Sequence, residues 1–144
     1  MTTLTISWQF WAFMAAVFAA LTAIFAKVGV DNINADYATF LRTIIVITML
    51  GCILIATKQF QPLSSLPAKS IAFLILSGLA TGASWLCYFR ALKLGQASQV
   101  APIDKLSVVL VALFGALFLG EHLSLGGWAG VGFIALGAIL IAVG

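Results

Sequence analysis

The sequence predicts an all-α integral membrane protein built on five transmembrane helices. Composition is the first reason: of 144 residues, 63% are hydrophobic and 8% charged, against roughly 25% charged in soluble domains. A chain of this size keeps about a third of its unfolded surface exposed even when folded, so the surplus apolar surface has to face lipid. The second reason is length. The apolar residues fall into five runs, each near the roughly 20 residues needed to cross about 30 Å of hydrocarbon. No stretch is long or polar enough for a soluble domain, so residues 1–144 read as one transmembrane domain.

The first run, residues 7–26, has no basic residue before it, and its first cation, Lys27, follows it. That order is the reverse of a secretory signal, so the run reads as a retained helix. Trp8 and Trp11 read as interfacial anchors. Ala12, Ala16 and Ala20 share a ridge that lets a second backbone approach closely in lipid. After the break "KVGVDNINAD" comes the second run, 37–57, with Arg42 about 7 to 8 Å inside it at 1.5 Å per residue. "KQFQPLSSLPAK" then leads to the third run, 70–88. There Gly78, Thr81, Trp85 and Tyr88 recur at spacings of three and four, hence on one face, and Gly78 and Gly82 form a small-residue packing pair. The fourth run, 100–120, follows "LKLGQASQ" and carries Asp104 and Lys105 side by side, two residues after Pro102, which removes a backbone donor and kinks the helix. "EHLSLGG" separates it from the fifth run, 125–144, where Gly126 and Gly130 repeat the packing spacing.

Three charges inside apolar runs ask for a reason. Five spans put the first and third connections on one membrane side, and Arg42, Asp104 and Lys105 enter their helices from that side to similar depth. An Arg42–Asp104 pair is geometrically available and leaves Lys105 as the unmatched cation. Insertion scales assign about 2.5 to 3.5 kcal/mol to a central charge, less near an end. Charged side chains can snorkel to the interface, yet three clustered at one depth read better as a polar cavity. In that cavity Lys105 is the counter-ion for an anionic substrate, and Trp85 supplies an apolar wall or a cation–π contact. In a proton-coupled cycle the carrier is Asp104, because Asp31, Asp36 and Glu121 lie in or beside connections.

Other chemistries lack their residues. Cys52 and Cys87 lie within the second and third runs with no C-x-x-C and no nearby histidine, and read as inert buried thiols. His122, the single histidine, sits in the "EHL" turn and reads as a solvated loop residue. A nucleophile with its base, or an H-E-x-x-H motif, is missing, so the sequence calls for no enzyme, no metal and no cofactor. The net charge of +3 sits mostly on Lys and Arg flanking the runs and does not imply nucleic acid.

The stretches "FAALTAIFAKVGV", "YATFLRTIIVI" and above all "RALKLGQASQVAPIDKLSVVLVALFGALFLGEHLS" resemble the EamA domain of the drug/metabolite transporter superfamily, in its short single-domain bacterial and archaeal branch. The resemblance spans essentially the whole chain. It implies one five-helix half-transporter unit where most relatives carry two. It also implies secondary-active transport of small organic metabolites or drugs, often export, by alternating access in the inner or plasma membrane, with Arg42, Pro102, Asp104 and Lys105 at motif positions. Fusing two five-helix units inverts the second, giving the inverted repeat that alternating access uses. A single unit reaches the same architecture as an antiparallel homodimer of dual topology. Lys27, Arg90 and Lys93 on one side against Lys58 and Lys69 on the other leave little orientation bias; counting Arg42 and Lys105 with the first group favours the N-terminus outside. Two alternatives stand beside transport of a solute: a lipid-carrier flippase, with Arg42, Lys105 and Lys27 holding a phosphate head group, and a non-transporting membrane assembly subunit.

Overall fold

In hydrocarbon a chain must satisfy its own backbone donors and acceptors, which leaves helices as the form these apolar runs can take. The computed structural model describes residues 7–144. It contains helices α1 (Trp8–Val30), α2 (Ala35–Thr57), α3 (Ala68–Leu94), α4 (Ala97–Asp104), α5 (Ser107–Phe118) and α6 (Leu125–Val143). Five candidate spans result, because α4 and α5 together make one, Ala97–Phe118. Four of them reach further than the apolar runs suggest. α1 continues to Val30, α2 begins at Ala35, α3 ends at Leu94, and the polar Ser98 and Gln99 are helical rather than part of a connection. Hydropathy marks where a helix leaves hydrocarbon, while capping and hydrogen bonding decide where it ends.

The chain divides into two compact units. In Val28–Lys93, α2 and α3 form a hairpin. Asn34 starts α2: its side-chain oxygen accepts from the amides of Asp36 and Tyr37 at 2.9 and 3.1 Å, satisfying two donors that a helix start leaves open. Lys58 closes α2 in the left-handed conformation, φ 54°, and a short 3₁₀ turn at Leu63–Ser65 leads to α3. Where α2 begins and α3 ends, Arg90 donates to both carboxylate oxygens of Asp36 at 2.9 and 2.7 Å, and Lys93 donates to the carbonyl of Ile33. The buried residues of this unit are Ala35, Ala38, Thr39, Phe89 and Leu92 from these same segments, with Val30 from the end of α1. Thr39 turns its hydroxyl back to the Ala35 carbonyl at 2.9 Å, so no polar group is orphaned there.

The other unit joins α1 through Lys27 to everything from Leu94 onward. Both α4 and α5 pack on α6, and Lys27 Nζ donates to the carbonyl of Gly95 at 3.0 Å. At the end of α5 the Gly115 carbonyl accepts from the amides of Leu119 and Glu121, at 3.1 and 3.0 Å. The chain turns there through Gly120, φ 66°, a conformation that costs glycine nothing. Ser124 then caps α6 by accepting from the Gly127 amide.

Most large apolar side chains face outward; Phe13, Ile45 and Phe133 are each about two-thirds or more exposed. Such a surface suits lipid or the apolar face of another membrane helix. Cys52 and Cys87 also face outward, which corrects the expectation of buried thiols: in hydrocarbon an outward thiol is in apolar surroundings already. The small-residue ridges are outward too. Ala12, Ala16, Ala20, Gly78, Gly82 and Gly126 are exposed, and a Cβ at Gly78, Gly82 or Gly130 would meet nothing within 4 Å.

Candidate functional site

Arg42 lies seven residues after the start of α2, about 10 Å along its axis. Its guanidinium stands 4.0 Å from the centre of the Trp85 ring and 5.6 Å from that of Phe89. Trp85 and Phe89 are four apart on α3 and so present one ridge to the cation. A desolvated cation over an aromatic face gains about 0.5 to 2 kcal/mol, which offsets part of the cost of holding a charge at this depth. Within this unit the ion pair is Asp36–Arg90, and Arg42 is held by the two rings. Phe89 is the member of this site that the aromatic face drawn through Trp85 and Tyr88 omits. Its signal was available, one helical turn beyond Trp85.

Tyr88 is half-buried and Thr81 exposed. The Thr81 hydroxyl donates to the Ser77 carbonyl at 2.9 Å, so its donor is committed and only its oxygen lone pairs remain for a ligand.

In the other unit the fourth span is interrupted where its charges lie. α4 ends at Asp104 and α5 begins at Ser107. Pro102, inside α4, supplies no amide to the Ser98 carbonyl one turn earlier. Just after it the backbone changes winding: the amides of Leu106, Val108 and Val109 each bond to the carbonyl three residues back, at 3.0 Å. That is 3₁₀ geometry inside a membrane span, a common mark of a hinge. Asp104 is the eighth residue of a 22-residue span, deeper than a helix starting at Val100 would put it. Lys105 Nζ donates to Asp104 Oδ2 at 3.1 Å. Within this unit Asp104 takes its chain neighbour Lys105 as partner.

Beyond the joint, Val111, Phe114, Gly115, Phe118, Leu119 and Glu121 line an open, mostly apolar hollow of about 320 Å³ at the end of α5. Among the described residues no group of His, Cys, Asp or Glu is placed to hold a metal ion.

Residues 6–143 match the EamA-like transporter family. The chain belongs to that family. It is a multi-pass membrane transporter protein with five apolar spans. A Sinorhizobium protein described as an uncharacterized transporter in the cobO 3' region is 62% identical over 137 residues, 95% of this chain and 97% of the relative. A probable 4-amino-4-deoxy-L-arabinose-phosphoundecaprenol flippase subunit ArnE from Aeromonas salmonicida is 32% identical over 83 residues, 58% of this chain and 73% of the relative. No solved structure matches the chain. Membership in the EamA-like family gives the interrupted span and the arginine on its aromatic ridge a common setting, that of moving a molecule across a bilayer.

Proposed function

We propose that this EamA-family chain is a secondary-active exporter of small organic metabolites or drugs, working by alternating access in the inner or plasma membrane as an antiparallel homodimer. The observation that carries the reading is the interrupted fourth span with an ion pair at its joint. Transporters build substrate and coupling-ion sites where a spanning helix is discontinuous, because half-helix ends and loosened backbone there can replace a solute's hydration. Asp104 is the proton carrier in this scheme, and Lys105 the cation it holds or releases. Arg42, Trp85, Tyr88 and Thr81 belong to the substrate pathway in this scheme. The role is transport rather than catalysis.

The dimer is supported by the five-span count and by the outward small-residue ridges, which offer a second copy close approach. Single cysteines at Ser64 and at Gln96, in a chain whose exposed Cys52 and Cys87 are first replaced by serine, should each label partly from both membrane faces; labelling of each from one face only refutes dual orientation. For transport itself, Lys105→Ala should abolish solute flux in proteoliposomes without affecting insertion, and Asp104→Asn should abolish proton-driven flux. Parent-like transport by both variants under a proton gradient would falsify the proposal.

A second reading has one observation in its favour, the similarity to the flippase subunit ArnE. In it the cargo is a lipid-linked molecule with a phosphate, and this chain is a subunit of a flippase. Transfer of a fluorescent lipid phosphate between leaflets, with no solute flux, would select it.

A further inference from the structure

Resting on the transport reading above, we infer that Arg42, held by Trp85 and Phe89, is the recognition point for an oxyanion, the carboxylate or phosphate of the molecule carried. A charged side chain about 10 Å inside a span is expensive to keep, and in membrane proteins such residues mark pathways and ligand sites. The way Arg42 is held says which part of it is in use. Trp85 at 4.0 Å and Phe89 at 5.6 Å engage the guanidinium through their rings. That contact holds the cation through its charge, while the five N–H groups lie in the guanidinium plane and point outward from its edge. A guanidinium held in this way keeps its planar fork, matched to the two oxygens of a carboxylate or phosphate.

The polar groups beside Arg42 on α2 are engaged elsewhere. Asp36, on the same helix, has both carboxylate oxygens taken by Arg90. Thr39 and Thr43, three residues before and one after, turn their hydroxyls back to the carbonyls of Ala35 and Thr39. The guanidinium is thus the group on this stretch of α2 that can offer several donors to an anion. The rings that hold it also present apolar surface, suited to a molecule whose anionic group is attached to an apolar body.

The test uses the full chain in phosphatidylcholine liposomes with Trp8, Trp11 and Trp128 replaced by phenylalanine, so that emission reports Trp85 alone. Inorganic phosphate, acetate and dodecyl phosphate are titrated, with dodecyltrimethylammonium as the cationic control. At least one oxyanion should change Trp85 emission saturably and the ammonium probe should not. Arg42→Lys keeps the charge, and with it insertion, but loses the fork. It should raise the half-saturation concentration at least about tenfold, in line with losing one charge-assisted hydrogen bond; Arg42→Gln should abolish saturation. Dodecyl phosphate alone saturating assigns the oxyanion to a lipid, and phosphate or acetate saturating assigns it to a soluble solute. Saturation at unchanged concentrations in Arg42→Lys, or by no oxyanion in the parent, overturns the inference. Solute flux is measured on the same liposomes: flux without oxyanion binding leaves transport standing and removes this site, while binding without flux does the reverse.

Discussion

Replacing Pro102 with alanine should make the protein more stable and a slower transporter. Pro102 is the sixth residue of α4, past the first turn where a missing amide goes unnoticed. Alanine returns the donor that the Ser98 carbonyl lacks and removes the ring that crowds it. One hydrogen bond contributes about 1 kcal/mol net, and the whole alanine-for-proline difference in a helix interior is about 3 kcal/mol. Those figures bracket the gain. The packing of both α4 and α5 on α6 opposes straightening of the span, so the lower part of the range, about 1 to 2 kcal/mol, is the expected value. Reversible unfolding in mixed micelles, followed by far-ultraviolet circular dichroism, measures it, and proteoliposome flux is read on the same preparation. A variant no more stable than the parent would show that proline does not impose the joint. A stabilised variant with unchanged flux would show that the joint is not used.

Asp104→Asn and Lys105→Ala should be coupled in a double-mutant cycle by about 0.2 to 1 kcal/mol, as a partly exposed pair at 3.1 Å allows; no coupling would remove the pair. Asn34→Ala should cost about 1 kcal/mol by leaving the Asp36 and Tyr37 amides uncapped, whereas Asn34→Asp should stay close to the parent in the same unfolding assay. Two glycines should answer alanine differently. At Gly115 the new Cβ would lie 2.7 Å from Glu121 Oε2, the free end of a flexible side chain, so the carboxylate swings aside and most of the roughly 1 kcal/mol of helix propensity is gained. At Gly127 it would lie 2.9 Å from Leu123 Cδ2 and 3.3 Å from Leu123 Cβ, so the side chain must move from its root, and a loss in stability is expected.

Five spans can be read from the sequence because nothing else accounts for five apolar runs of that length. The ends of the helices are harder. Ser98 and Gln99 are polar enough to pass for a connection, and that shortens the fourth span and puts Asp104 too near its mouth. Pro102 announces an interruption, but not that three amides after it would take up 3₁₀ bonding; that depends on how α4 and α5 both settle on α6. The Asp36–Arg90 pair joins residues 54 apart, on the same membrane side by topology, so opposite charge and side together could have suggested it. Lys27 and Lys93 could not have been placed, since each donates to a backbone carbonyl and every residue has one. Arg42 was recognised by its depth. Its ring partners are not legible there, because charge patterning says nothing about the face of an indole.

The winding of the fourth span has a mechanical meaning. An α-helix turns 100° and rises 1.5 Å per residue, a 3₁₀-helix 120° and 2.0 Å. Each residue at the joint that passes from one winding to the other therefore rotates α5 by about 20° about its own axis and shifts it about 0.5 Å along it. Over the three residues whose amides bond three back, Leu106, Val108 and Val109, that spans about 60° and about 1.5 Å, enough to present a different face of α5 to α6 with no helix swinging through the bilayer. The fourth span is in this sense threaded like a screw, and the Asp104–Lys105 pair sits at the first turn of the thread.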